Sequence, residues 1–266
     1  MTVQDHAGYA LVTGASEGIG ALYAERLAAR GHDLVLVARN RDKLEALATS
    51  IREATGRQVE VLPADLSTRA GQAAVAERLK AEPAIEMLVN NAGISLSTGL
   101  VDADPARLSD MLAINVGALT LLSNAAATGM VARGHGTIIN ISSAMAVLHN
   151  PTSAAYSGTK AFVLTFTQAL DLELRPHGVR VQAVLPGATR TAIWEKAGVD
   201  MEKMPASILM DAAELVDAAL VGLDQGELVT IPSLPDPEEW ARFDAARQSL
   251  SRFVSRDSAA PRYSQG

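Results

Sequence analysis

The chain contains no cysteine. Disulfides, thiolate metal sites and a cysteine nucleophile are thereby excluded. It has no dense lysine and arginine cluster, and its formal net charge is −7, so neither nucleic acid nor an anionic membrane is an expected partner. No uninterrupted apolar stretch reaches the ~18 residues of a membrane span. The opening Met1-Thr2-Val3-Gln4-Asp5-His6 has neither a basic nor an apolar signal region, so no secretory signal is expected and a cytoplasmic location is. The histidines (His6, His32, His135, His149, His177) show no metal-ligand spacing, and no metal is expected. Internal repeats, low-complexity tracts and linkers are missing too. What remains is 48% hydrophobic and 20% charged, the profile of a chain that buries a core.

Short β-branched runs alternate with longer segments of helical period. Tyr9–Thr13, Asp33–Ala38, Gln58–Leu62, Ile85–Asn90, Gly136–Ile141, Val179–Leu185 and Glu227–Ile231 read as strands. Gly18–Arg30, Arg41–Thr55, Ala70–Ala81, Pro105–Ala132, Ala154–Arg175 and Ala212–Asp224 read as helices. Runs such as Leu34-Val35-Leu36-Val37 are apolar at successive positions, as in a parallel sheet covered on both faces. Strict alternation implies right-handed crossovers, so the expected fold is α/β: one doubly wound, parallel, seven-stranded Rossmann-type sheet with helices on both faces. A single domain over 1–266 is expected, with a core of about 8–232, a substrate lid over 186–210 and a C-terminal extension over 235–266. The charged segment Asp236–Val254 reads as helix-like, and the polar tail beyond it is left between order and disorder.

Thr13-Gly14-Ala15-Ser16-Glu17-Gly18-Ile19-Gly20 follows the first strand and opens the first helix. That is where a dinucleotide-binding fold turns its backbone toward a pyrophosphate: glycines allow the close approach, and the helix N-terminus offers free amides. The second strand ends Val37-Ala38-Arg39-Asn40, with no carboxylate to bind a ribose 2′-hydroxyl. Arg39 instead presents a forked donor suited to the 2′-phosphate of NADP, which makes NADP(H) the expected cofactor and NAD the lesser one. Glu17, in the glycine loop, argues the other way, and Arg39 also reads as a solvated strand-end residue.

Tyr156 and Lys160 lie one helical turn apart, on one face. An ammonium within about 4–6 Å of a phenol lowers its pKa by roughly 1–3 units, toward a range useful for proton transfer. Ser143, upstream, is placed to hydrogen-bond the oxygen whose proton moves. Its neighbour Ser142 faces the other way on the strand.

TGxxxGxG over Thr13–Gly20, Asn90-Asn91-Ala92-Gly93, Asn115, Ser143, Tyr156-xxx-Lys160 and Pro186-Gly187-xxx-Thr191 occur in order. From about Ala10 to Ile231 the chain resembles the short-chain dehydrogenases/reductases of compact single-domain form. The resemblance implies a catalytic tetrad of Asn115, Ser143, Tyr156 and Lys160. Tyr156 would be the acid in ketone reduction and the base in alcohol oxidation. Lys160 would lower its pKa and hold the nicotinamide ribose, and Ser143 would polarise the carbonyl. Asn115 would interrupt its helix and support a proton-relay water. Gly14, Ser16, Gly18, Ile19 and Gly20 would cradle the cofactor, with Arg39 and Asn40 at the ribose, Asp65 and Leu66 near adenine, and Asn91, Ala92 and Gly93 beside the central strand. Pro186, Gly187, Thr189 and Thr191 would fix the carboxamide. Each of these also has an ordinary reading: Asn115 as a polar helix residue, Asp65 as a helix cap, and Asn90-Asn91 as a strand-ending turn.

The implied substrate is a neutral, hydrophobic ketone or aldehyde, or the corresponding alcohol. Candidate pocket residues are Ile94, Leu96, Met145, Val147, His149, Ala188, Ile193 and Trp194, beside Ser143 and Tyr156. In the family the two long helices pair across a homodimer, often within a homotetramer. An NAD-dependent alcohol dehydrogenase on the same fold and a nonenzymatic NADP-binding sensor or interaction protein stay open as alternatives.

Overall fold

The computed structural model describes residues 7–81, 84–96, 98–191 and 204–263. The chain divides into two compact units, one ending at Pro232 and one beginning at Ser233. In the first unit, β1 (Tyr9–Thr13), β2 (Asp33–Ala38), β3 (Val59–Pro63), β4 (Ile85–Asn90), β5 (Gly136–Ile141), β6 (Val179–Val184) and β7 (Val229–Thr230) form one sheet. Every pairing is parallel, in the order β3-β2-β1-β4-β5-β6-β7. The crossovers are α1 (Gly18–Ala29), α2 (Arg41–Thr55), α3 (Arg69–Lys80), α4 (Pro105–Leu112) running on into α5 (Leu119–Arg133), α6 (Ala154–Leu174) and α7 (Ala212–Asp224).

Consecutive apolar residues in a strand point to opposite faces, and both faces are covered. Ala10, Val12, Leu34 and Leu36 pack with α1, α2 and α7. Leu11, Val35 and Val37 pack with α3, α5 and α6. β1 pairs with both β2 and β4, so the chain reverses its direction of growth there. Such a switch point leaves a crevice outside the carboxyl ends of the strands, where open α/β sheets bind ligands.

Several boundaries move for local reasons. Gln58 donates its backbone N–H to the Asp33 carboxylate at 2.8 Å, so β3 starts at Val59 rather than Gln58. It ends at Pro63, tolerated because β3 is an edge strand. The run Glu227–Ile231 contributes only Val229 and Thr230, while the Thr230 hydroxyl donates to the Glu227 carboxylate at 2.7 Å. Pro105–Ala132 is not one regular helix: a π-helical turn over Ala113–Ala118 separates α4 from α5. The whole run Pro105–Arg133 has the length and mean hydropathy (1.4) to cross a membrane, which shorter uninterrupted runs in the sequence do not suggest. Half of its apolar window is buried, as in a core helix.

The second unit consists of α8 (Pro237–Ser249), α9 (Ser251–Val254) and a 3₁₀ turn at Pro261–Tyr263. Asp236 caps α8 by accepting from Glu238 N at 2.9 Å, with Pro237 in the first turn. The helix-like reading of 236–254 thus resolves into two helices.

Candidate active site

The crevice at the switch point is a cleft of about 490 Å³. Its described lining comprises Gly14, Ser16, Glu17, Gly18, Ile19, Ala38, Arg39, Asn40, Lys43, Ala64, Asp65, Leu66, Asn91, Ala92, Gly93, Ile94, Ile114 and Thr191. Most predicted cofactor residues are here. Gly20, Tyr156, Lys160, Pro186, Gly187 and Thr189 are not among the lining residues. The Pro186 carbonyl accepts from Ala144 N at 2.8 Å, and Thr189 is buried with its hydroxyl donating to Gly187 O. Ala38, Lys43, Ala64 and Ile114 line the cleft without having been picked out from sequence. Lys43 had a signal: it sits in the first turn of the helix that follows Arg39.

The glycine end is built from backbone. Gly14 has φ +67 and Gly18 φ +60, the left-handed region that favours glycine. A Cβ on Gly14 would lie 2.8 Å from Asn91 Nδ2, and one on Gly20 would lie 2.3 Å from Gly14 O. Asn91 Nδ2 uses that closeness, donating to Thr13 O at 3.0 Å and Gly14 O at 3.2 Å. The Thr13 hydroxyl accepts from Asn91 N and Ala92 N and donates to Val89 O, tying the end of β1 to the end of β4. Helix α1 begins at Gly18 with no side-chain cap, leaving first-turn amides to other partners. Tight turn, uncapped helix start, and the cations Arg39 after β2 and Lys43 in the first turn of α2 together fit an anionic dinucleotide.

Asp65 lies across from Arg39. Its carboxylate accepts from Ser67 N (3.0 Å) and Ser67 Oγ (2.8 Å). Those hydrogen bonds hold its pKa below the ordinary carboxylate range, with Arg39 adding a smaller pull.

The other end is built from buried side chains. Asn115 lies in the π-helical turn. It accepts from Ile94 N at 2.9 Å, donates to Ile94 O at 2.9 Å and donates to Thr159 Oγ1 at 3.1 Å. The Thr159 hydroxyl donates to Tyr156 O at 2.7 Å, so one asparagine joins the loop after β4 to the first turn of α6. Widening of the helix at this point lets its side chain reach the Ile94 backbone. Lys160 is buried and donates from Nζ to Ile141 O at 2.9 Å. Its backbone carbonyl accepts from Ser142 Oγ at 2.8 Å, while Ser143 Oγ accepts from Met145 N. A Cβ on Gly93 would come within 3.3 Å of Asn115 Oδ1 and 3.6 Å of Lys160 Nζ. Asn115 and Lys160 of the sequence-based tetrad therefore lie beside the cleft's Gly93 wall.

Electrostatics here depart from the sequence-based expectation. Lys160 Nζ lies 5.7 Å from the Tyr156 ring centre, within the distance at which it should acidify the phenol. Yet burial pushes the Tyr156 pKa above 10, and a hydrogen bond with Ser143 only partly opposes it. Burial likewise lowers Lys160 to about 8. Taking an anion and a cation out of water costs more here than their separation recovers.

Of the residues expected to line a substrate pocket, Ile94 lines the cleft. Leu96, Met145, Val147 and Ala188 are half-buried and His149 is exposed. Ile193 and Trp194, with residues 192–203 of the expected lid, lie outside the described residues.

Sheet order and the glycine turn define a Rossmann-type, doubly wound fold. The chain belongs to the short chain dehydrogenase family, whose model matches residues 8–202. It is similar to a short-chain dehydrogenase from Sphingobium yanoikuyae in complex with NADPH: TM-score 0.93, 48% identity, covering 96% of this chain and 100% of that one. It also resembles the bulky-bulky ketone specific alcohol dehydrogenase from Comamonas testosteroni, with TM-score 0.88 and 43% identity over 96% of this chain and 98% of the other. Human 17-beta-hydroxysteroid dehydrogenase type 3 is 36% identical over 188 residues, 70% of this chain. The chain spans about 60% of that relative's length.

Proposed function

We propose that this short-chain dehydrogenase reduces a hydrophobic ketone or aldehyde with NADPH and runs reversibly as an alcohol dehydrogenase. The observation that carries the reading is that Asn115 and Lys160 lie beside Gly93 in the cleft wall, with Tyr156 next to Lys160 and hydrogen-bonded to Ser143. A nicotinamide held there supplies the hydride. The Gly14–Gly20 turn, Asp65, Leu66 and Asn91–Gly93 hold the dinucleotide. Arg39 and Asn40 take its ribose phosphate, Lys160 the second ribose, and Pro186, Gly187, Thr189 and Thr191 the carboxamide end.

The protein's own part is the proton. Tyr156 donates it to the carbonyl oxygen, and a phenol held above 10 arrives protonated at neutral pH, as reduction requires. Ser143 shares a hydrogen bond with that phenol and stabilises the developing charge on the same oxygen. Lys160, carried on the carbonyl of Ile141, keeps positive charge beside the ring. The half-buried Met145 and Val147, with His149 at the rim, line the substrate's approach. The ketone-specific relative supports a bulky carbonyl substrate.

Tyr156→Phe keeps the ring and removes the transferable proton. With NADPH and a panel of graded ketones, turnover followed by NADPH absorbance is expected to fall roughly 10³-fold, with NADPH binding retained. Wild-type turnover in this variant overturns the mechanism.

One observation favours a second reading, an NAD-dependent dehydrogenase: Glu17 places a carboxylate in the same cleft. Comparing kcat/KM for the two cofactors decides between them. For assembly, exposed Leu121, Phe162 and Leu172 on α5 and α6 support a homodimer through those helices, which light scattering at micromolar concentration tests.

A further inference from the structure

The second unit is where apolar side chains stay in water. None of its described residues, from Ser233 to Tyr263, is buried. Phe243, Leu250, Phe253, Val254 and Tyr263 are 45–74% exposed. Helices of 13 and 4 residues draw their stability from packing an apolar face, not from propensity. No cysteine staples them, and no metal-ligating cluster is present among the described residues. Yet a face exists. Trp240, Phe243, Leu250 and Val254 follow one another at helical spacing, and the Trp240 and Phe243 ring centres lie 5.4 Å apart. Leu250 keeps helical backbone between α8 and α9 (φ −66, ψ −22), so the face continues across both.

Charge is divided along the same run. Asp236, Glu238 and Glu239 outnumber Arg242 at its start, net −2, and Arg252, Arg256 and Arg262 outnumber Asp257 at and beyond its end, net +2. Between these stretches Asp244 and Arg247 form an ion pair at 2.7 Å. We propose that α8 and α9 form an arm that pairs antiparallel with the same arm of a second copy, about a two-fold axis. A segment with equal and opposite ends is complementary to its own reversed copy, and each contact then occurs twice. Parallel pairing sets like charges together. Reversal also lays the Trp240–Phe243 end of one apolar face on the Leu250–Val254 end of the other. The aromatic anchors are covered and the charges stay at the rim, the usual division of an interface. This contact is independent of the one proposed for α5 and α6.

Light scattering on the full chain at low salt tests the pairing through charge reversal. Glu238→Arg with Glu239→Arg makes both ends of the arm positive, and Arg252→Glu with Arg256→Glu makes both negative. Each variant alone is expected to fall to half the wild-type mass, its arms dissociating at least about tenfold more readily because like charges now face each other. An equimolar mixture of the two should regain the wild-type mass, with both variants in one assembly. The four charge changes combined in one chain reverse the arm's polarity and should restore self-association. Phe243→Ser with Phe253→Ser removes the apolar anchors and should separate the arms at any salt concentration.

A wild type that is monomeric at micromolar concentration overturns the inference, and so do arm variants that all keep the wild-type mass. It is equally overturned if the charge variants dissociate and neither their mixture nor the combined variant reassociates. If the arm variants fall to monomers rather than dimers, the arms alone hold the copies together: the α5–α6 contact fails and this inference stands.

Discussion

The two ends of the cleft are built by opposite means. At the glycine end the backbone does the shaping: left-handed glycines, absent side chains, a helix start without a cap, and charges that sit in water. At the tyrosine end side chains do it: Asn115, Thr159, Ser142 and Lys160 are buried and each is bonded to a backbone carbonyl or amide. The first end can be retuned residue by residue, because exposed charges contribute little to folding. The second cannot, because each deletion leaves a buried partner unsatisfied.

Asn115→Ala is the sharpest way to expose that difference. It orphans the N–H and the C=O of Ile94 together and frees Thr159. The expected loss is about 3 kcal/mol, seen as a fall of several degrees in melting temperature, and reduction should fail alongside stability. A variant that keeps wild-type stability would show that the π-helical turn does not depend on this side chain. Gly14→Ala tests the backbone-built end. A methyl there is strained by φ +67 and meets Asn91 Nδ2 at 2.8 Å and the Ala92 backbone at 3.0 Å. The cost should be smaller, about 2 kcal/mol, and should appear chiefly as weakened cofactor binding in titrations.

The same asymmetry governs how much the sequence reveals. Glycines, strand periodicity and the Tyr156–Lys160 spacing are local signals, so the seven strands, their parallel doubly wound arrangement and the glycine turn are legible from the chain alone. Pairings across long separations are not. Nothing near Lys43 says that Glu17 will meet it, and nothing near Ser142 says that it will bond the Lys160 carbonyl. The sign of the Tyr156 shift is a second case: sequence gives the separation of the cation but not the burial, and burial wins.

That reversal has a pH signature. Lys160 is 10.5 when unfolded and about 8 when folded, so the folded protein releases this proton first. Stability contributed by Lys160 therefore rises as pH climbs from about 8 toward 10.5, by on the order of 3 kcal/mol. Activity should move the other way: reduction holds below about pH 7 and declines as the ammonium is lost above 8, while the phenol remains protonated. Melting curves and NADPH turnover measured across pH 6–10, with Lys160→Met as the reference, would separate the two trends. Parallel trends would mean that the buried ammonium is not what titrates.

Arg39→Asp makes the smallest change to the molecule and tests the retunable end most directly. Arg39 is exposed at the end of β2, so reversing its charge should leave the melting temperature nearly unmoved. A charge-assisted hydrogen bond to phosphate is lost and a carboxylate suited to a ribose hydroxyl is gained, so the ratio of kcat/KM for NADPH over NADH should drop at least about tenfold. Asp65 feels the change as well, because Arg39 helps to hold its carboxyl low. The variant therefore places a third acid beside Glu17 and Asp65, and Lys43 becomes the remaining cation of the cleft lining described here. If NADPH is still preferred, Lys43 alone carries the phosphate. If both cofactors bind worse by the same factor, Arg39 serves the dinucleotide's other phosphates rather than the 2′-position.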